Sequence, residues 1–284
     1  MRAEDVGNRE TWLARAPGLH ISGDAVRQAV RAFRPSNSVA ADLDERLRDD
    51  GYFQLAHDFG LDLSRMADTV RRFSDAAIPP VFCFLFDEFW APFQALDAMY
   101  GGILGPYGLL PDFWVWNVDP AKGEAGWTPH RDRGRFALRP DGRPITLTTW
   151  IPLSDATPLN SCMYVVPAHA DPTYGTPHEN EYLFELPAIR ALPAKAGDVL
   201  VWNQAVIHWG SRTSHRATES RVSMAFEFQA NDSRPFNKPI LPPNEPIPFE
   251  LRLRLIAKQV LQYRHMYKVD PQIEQVATEL VGQL

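Results

Sequence analysis

Phe113-Trp114-Val115-Trp116-Asn117-Val118 opens the stretch that decides the fold. Aromatic and β-branched residues dominate it, and such side chains suit a pleated, half-buried surface. Four more runs of this texture follow, at Ile145–Ile151, Cys162–Val166, Asp198–Trp202 and Arg221–Gln229, with Pro, Gly, Asp and Asn between them. Short strands separated by turn chemistry point to a sandwich or jelly roll rather than to alternating βαβ units. A Gly-rich phosphate loop, a dinucleotide fingerprint and a Gly-x-Ser-x-Gly elbow are all missing from the sequence. The expected architecture is mainly β with helical flanks.

Upstream of this stretch the chain reads as helical. Val39, Leu43 and Leu47 recur every four positions behind Ser38, a capping residue, and Gly51 is a natural stop. Tyr52-Phe53-Gln54-Leu55 reads as a short strand. Ser64 is placed to cap a second helix carrying Met66, Val70 and Phe73, and Pro79-Pro80 breaks the pattern before an aromatic run. Downstream, the proline-dense connector from Pro235 to Pro248 excludes a helix or central strand. A helix from Phe249 to about Tyr267 and another from Pro271, behind Asp270, are expected to close the chain. One domain over residues 1–284 follows, helical to about 110, β-rich over 111–232 and helical again from 247.

Hydrophobic residues make up 45% and charged residues 23% of 284 residues, so the chain can bury a sizeable core. A net charge of −6 without a Lys/Arg block argues against nucleic acid as a partner. The apolar stretch Ile78–Phe86 is too short for a bilayer, and Met1-Arg2-Ala3-Glu4-Asp5 lacks the apolar core of a secretion signal. Two cysteines, Cys83 and Cys162, suggest a reducing compartment rather than a disulfide framework. A soluble cytoplasmic protein without a membrane partner is expected, and the sequence fixes no oligomeric state.

The eight histidines include two His-x-Asp triplets, His130-Arg131-Asp132 and His169-Ala170-Asp171. In a strand, residues two apart share a face, so an imidazole and a carboxylate can meet one metal ion. A histidine from a distant strand would complete a two-His-one-carboxylate face. That face leaves three open positions on octahedral Fe(II), room for a bidentate cosubstrate and O₂. Three candidate strands separate Asp132 from His208, enough chain to wind through a jelly roll and return. His169 follows Val165-Val166-Pro167, where a hydrogen bond at a strand end is the simpler role. The expected ligands are therefore His130, Asp132 and His208. Arg221 and Ser223 share a face of the last strand, and a guanidinium plus a hydroxyl suits a distal carboxylate.

Ordered together, Pro129-His130-Arg131-Asp132, Thr149-Trp150-Ile151-Pro152-Leu153, Val165-Val166-Pro167-Ala168-His169, Ala196-Gly197-Asp198-Val199-Leu200, His208 and Arg221 resemble the phytanoyl-CoA dioxygenase family of Fe(II)/2-oxoglutarate oxygenases. The resemblance covers roughly Tyr52 to Gln229. It implies a double-stranded β-helix, the cupin-like jelly roll, with iron on His130, Asp132 and His208. It also implies that Arg221 pairs with the far carboxylate of 2-oxoglutarate and that Trp150 lines its pocket. Retention of Asp132 implies hydroxylation or a related oxidation of a small molecule, with release of succinate and CO₂, rather than halogenation. Two positions depart from the family pattern: Ser161-Cys162 stands where Gly is usual, and Ala168 where Gly is common.

Three further expectations concern the substrate. Trp114 and Trp116 share a face, so one of them, Trp116 in particular, is expected to wall the pocket. The cluster Arg131, Arg133, Arg135 and Arg139 suggests an anionic substrate, met by Arg133 or Arg135 because alternation turns Arg131 away from the metal. The loop from Asp171 to Ala191 is a candidate lid. Two rival readings stay open at this level, a cupin-type metalloenzyme that needs no 2-oxoglutarate and a non-catalytic ligand-binding relative.

Overall fold

The computed structural model describes residues 3–265 and 269–282. Its strands are β1 (Tyr52–Leu55), β2 (Tyr107–Val118), β3 (Thr146–Pro152), β4 (Met163–Val166), β5 (Arg190–Leu192), β6 (Val199–Asn203), β7 (Ile207–Gly210) and β8 (Arg221–Ala230). They form two antiparallel sheets, one of five strands in the order β1-β6-β3-β8-β2 and one of three in the order β5-β4-β7. The expected double-stranded jelly roll is thus present. All five expected core strands occur. β2 begins at Tyr107 rather than Phe113, with its pairing to β8 slipping between Leu109 and Phe113, where Pro111 has no N–H to donate. β5 and β7 were not expected.

Two faces of the larger sheet are buried against different things, which explains why its strands read as nearly continuous apolar runs. Val222, Met224, Phe226 and Phe228 of β8, with Leu147 and Ile151 of β3 and Val199 and Val201 of β6, join the main core, which also holds Trp12, Phe84 and Ile256 from the flanking helical segments. The alternate residues Trp150, Leu200, Trp202 and Ala225 pack inward against Cys162, Met163 and Val165 of the smaller sheet. Every second residue of β8 therefore looks into the space between the sheets. That inward row reads Arg221, Ser223, Ala225, Glu227.

The helical flanks form much as expected, with shifted caps. The first helix with amphipathic spacing spans Asn37–Asp49 and is capped by Ser36, whose hydroxyl accepts from Val39 N, not by Ser38. The next spans Leu63–Asp75 and is capped by Asp62, which accepts from Arg65 N and from the Ser64 hydroxyl. In both cases two capping residues stand close together and the earlier one takes the free N–H. Gly51 does stop the first helix, at φ +78, and a Cβ there would lie 2.3 Å from Val206 Cγ2. The run Pro80–Leu85 is a buried 3₁₀ segment. Helices Phe249–Tyr263 and Pro271–Val281, the latter capped by Asp270, close the chain. The expected end near Tyr267 lies outside the described residues. Arg252 of the first of these helices pairs with Asp87 at 2.6 Å, and Asp87 accepts from the amides of Ser22 and Gly23. One buried carboxylate thus ties the N-terminal segment at Ser22-Gly23 to the helix Phe249–Tyr263.

Candidate metal centre

His130, Asp132 and His208 are brought together. One potential ligand atom from each lies within 4.8 Å of the others, and among the described residues no other His/Cys/Asp/Glu group is arranged in this way. The route to this geometry differs from the expected one. The triplet 130–132 is not a strand: His130 forms an isolated antiparallel bridge with His208, and Asp132 sits in a bend. The segment 125–130 runs along β7, with His130 N donating to His208 O at 3.1 Å and His208 N returning the bond at 3.0 Å. Gly210 N donates to Trp127 O and Gly126 N to Ser211 O. The two backbones approach so closely that a Cβ on Gly126 would sit 2.4 Å from Gly210 Cα.

Hydrogen bonds fix the direction of all three side chains. His130 Nδ1 lies 2.7 Å from Thr128 O and His208 Nδ1 3.1 Å from Val206 O, so each Nδ1 carries the proton and donates it to a carbonyl. Each Nε2 is then left 3.5 Å from Asp132 Oδ1. Asp132 Oδ2 accepts from the Thr148 hydroxyl at 2.8 Å and from Trp202 Nε1 at 3.2 Å, and Gln204 donates to Thr148 at 3.0 Å. These are the outer partners that orient metal ligands.

Electrostatics agree. Burial drops His208 to about 4, which leaves its imidazole neutral at neutral pH. Burial also works against the Asp132 carboxylate, but His208, His130 and the Thr148 hydroxyl outweigh it and hold the group well below the ordinary range. Burial pulls His130 down as well, and Asp132 reverses this to a net rise. His130 Nε2 is buried without a hydrogen-bond partner. An orphaned imidazole nitrogen beside a carboxylate oxygen and a second imidazole nitrogen is a donor set that a divalent metal fits.

A cavity adjoins this cluster. Arg221, Trp150, Trp114 and Trp116 line it. Arg221 is buried and donates to Ser161 O at 3.0 Å, to Ser161 Oγ at 3.3 Å and to the Ser223 hydroxyl, with its guanidinium 5.6 Å from the Trp150 ring centre. Ser161 holds φ +77, the left-handed region, at the position where Gly was the expected residue.

The arginine cluster does not serve the cavity as expected. Arg131 does turn away: it pairs with Asp171 at 2.6 Å and donates to Thr173, Ala205 O and Glu179 O. Arg133 is spent on two carboxylates, Asp112 at 3.2 Å and Glu227 at 3.1 Å, and Arg135 is exposed against the Phe136 ring. Neither belongs to the cavity lining. The candidate lid 171–191 also contributes nothing to the lining, because it braces Arg131 and, through the Tyr174 hydroxyl, Asn203. His169 bonds Asp50 at 2.9 Å, a local role as expected. Residues that line the cavity and were not foreseen include Asp112, Trp127, Thr148, Trp202, Glu227 and Tyr263. The inward alternation Arg221, Ser223, Ala225, Glu227 could have revealed Glu227; nothing in the sequence announced Tyr263, which comes from the helix Phe249–Tyr263.

The family model for phytanoyl-CoA dioxygenase (PhyH) matches residues 25–218. The chain belongs to the phytanoyl-CoA dioxygenase family. An iron/alpha-ketoglutarate-dependent dioxygenase of Aspergillus calidoustus, ausU, is 34% identical over 83 residues, which is 29% of this chain and 26% of that one. Solved structures share the fold at low identity. The epimerase SnoN in complex with Fe3+, alpha-ketoglutarate and nogalamycin RO has a TM-score of 0.53 at 17% identity, covering 75% of this chain and 94% of SnoN. The non-heme monooxygenase ThoJ in its nickel complex has a TM-score of 0.54 at 18% identity, covering 83% of this chain and all of ThoJ. EctD of S. alaskensis with bound Fe has a TM-score of 0.52 at 16% identity, covering 78% and 84%. Within this phytanoyl-CoA dioxygenase fold, no described helix is long and apolar enough to cross a membrane.

Proposed function

We propose that this chain is an Fe(II)/2-oxoglutarate-dependent dioxygenase that oxidises a small organic molecule, releasing succinate and CO₂. The observation that carries the reading is the convergence of two imidazole nitrogens and one carboxylate oxygen on a common point, one of those nitrogens buried and unpartnered. His130, Asp132 and His208 would hold iron. Bound iron with 2-oxoglutarate and O₂ supplies the oxidising power that no side chain has. The protein's own part is positional. The carbonyls of Thr128 and Val206 keep both Nε2 atoms aimed inward, and Thr148 and Trp202 hold the second oxygen of Asp132. Arg221 and Ser223 would receive the far carboxylate of 2-oxoglutarate, with Trp150 as one wall, while Trp116 and its aromatic neighbours exclude water from the substrate. A reducing, cytoplasmic setting suits Cys83 and Cys162, both buried and unpaired.

The test is anaerobic binding followed by turnover. Folded wild-type protein should take up one Fe(II) and one 2-oxoglutarate, and oxygen should then convert 2-oxoglutarate to succinate. His208→Ala should lose iron binding, and Arg221→Ala should keep iron but bind 2-oxoglutarate at least about ten-fold more weakly, the loss of a charged contact. A protein that binds iron but ignores 2-oxoglutarate, with Arg221→Ala unaffected, would be a cupin metalloenzyme of another kind.

A further inference from the structure

The inward row of β8 is basic at one end and acidic at the other. Arg221 and Glu227 stand six positions apart in the strand, about 20 Å at the rise of an extended chain. The metal cluster lies toward the Glu227 end, since Thr148, paired in register with Glu227, donates to Asp132. On the acidic side the charged lining residues are Asp112 and Glu227. Asp112 is saturated by Asn237, Gln262 and Arg133. Glu227 has a lesser share: one nitrogen of Arg133 serves both acids, and Gln204 supplies a further hydrogen bond. Burial first, then Asp112 and Asp132, push the Glu227 carboxyl above its ordinary range, and Arg133 opposes them, so a second cation at this end would favour the ionised form. An aromatic wall runs along the cavity from the level of Ser223. Trp127 lies 5.5 Å from Tyr263 and 5.7 Å from Trp116, and Trp114 lies 4.9 Å from Tyr263, centre to centre.

We propose that this cavity takes a protonated amine as its substrate, the ammonium group paired with Glu227 and the hydrocarbon body laid on Trp116, Trp127 and Tyr263. The inference rests on the oxygenase reading for which end of the cavity is the substrate end. A dianionic cosubstrate at Arg221 and a cation at Glu227 would match the two ends of the row, and an aromatic wall strengthens the hold on a cation. An anionic substrate would face two carboxylates that, among the described residues, share the single guanidinium of Arg133, and desolvating it there would be unfavourable.

Tryptophan fluorescence of the protein loaded with Mn(II) and 2-oxoglutarate can be titrated with three matched probes: 3-phenylpropan-1-amine, 3-phenylpropan-1-ol and 3-phenylpropanoate. The amine should bind about ten-fold more tightly than the other two, the gain of one partly desolvated ion pair. Glu227→Gln should erase that preference, and Glu227→Asp should retain its order. Equal affinities, a preference for the propanoate, no saturable quench by the amine up to about 10 mM, or a preference that survives in Glu227→Gln would each overturn the proposal. The wild-type series decides the charge preference whatever a variant does to folding. Repeating it without metal and cosubstrate separates the two readings. Amine preference in a protein that never binds 2-oxoglutarate would sink the oxygenase assignment alone, and 2-oxoglutarate binding without amine preference would sink this one alone.

Discussion

Ser161 offers a sharp test of how the cavity holds Arg221. Its left-handed backbone costs roughly 1–2 kcal/mol for a residue with a Cβ, and its hydroxyl accepts from the guanidinium at 3.3 Å. A hydrogen bond to a charged group contributes about 1.5–3 kcal/mol, and one stretched to 3.3 Å falls below that range, at about 1 kcal/mol. Ser161→Ala keeps the strain and loses the bond, so it should destabilise by about 1 kcal/mol, a drop in Tm of about 2 °C for a chain this long. Ser161→Gly loses the same bond but relieves the strain, so it should unfold within about 0.5 kcal/mol of wild type. The carbonyl of residue 161 still accepts from Arg221 Nε in both variants. In both, the less restrained guanidinium should weaken 2-oxoglutarate binding by about five-fold, the equivalent of 1 kcal/mol, with iron affinity unchanged. Urea unfolding and anaerobic titration measure the two quantities. If Ser161→Gly is as unstable as Ser161→Ala, the backbone strain is not real. If neither variant alters 2-oxoglutarate affinity, Ser161 does not position Arg221.

Three other outcomes follow from features already described. Asp171→Asn leaves Arg131 buried against a neutral partner, with side chains 4% and 0% exposed, and should cost about 3–5 kcal/mol in urea unfolding; a loss below about 1 kcal/mol would show that the loop 171–191 is not the brace inferred here. Gly126→Ala forces a carbon to 2.4 Å from Gly210 Cα, so the segment 125–130 must separate from β7, and a loss of about 3 kcal/mol should come with weakened iron binding; calorimetric titration with Mn(II) at wild-type strength would contradict this. In the metal-free protein Glu227 has a folded pKa above its unfolded value, so its contribution to stability is present in acid and lost as pH rises through the folded value. Glu227→Gln should therefore raise Tm at pH 8 more than at pH 5, and an equal or opposite change would refute the assigned direction.

Much of this architecture is legible in the chain because its strands obey a two-residue period. Arg221-Val222-Ser223-Met224 announces both a buried outer face and a polar inner one, whereas the expected grouping of His130, Asp132 and His208 forms although residues 130–132, read as a strand, are a bridge and a bend. What stayed hidden has physical causes. β7 and the segment 125–130 pair over Gly126, Gly210 and Pro129, residues that read as loop, and the pairing is made by close backbone approach rather than by side-chain propensity. The arginine cluster misled because charge in sequence carries no record of its partners: Asp112, Asp171 and Glu227 arrive from distant segments to neutralise it. Tyr263 was invisible for the same reason, since only the packing of its helix brings it into the cavity lining.

That last placement divides labour along the chain. The matched family region ends at residue 218, whereas Tyr263 comes from a helix that starts at Phe249 and sits on the outside of the barrel. The cavity is thereby built from two stretches of polypeptide: Trp116, Trp127, His130, Asp132 and His208 from the matched region, and Arg221, Glu227 and Tyr263 from beyond it. Changes at Tyr263 would reshape the cavity wall while leaving His130, Asp132 and His208 untouched, and exchanging the terminal helix between relatives would measure what it contributes.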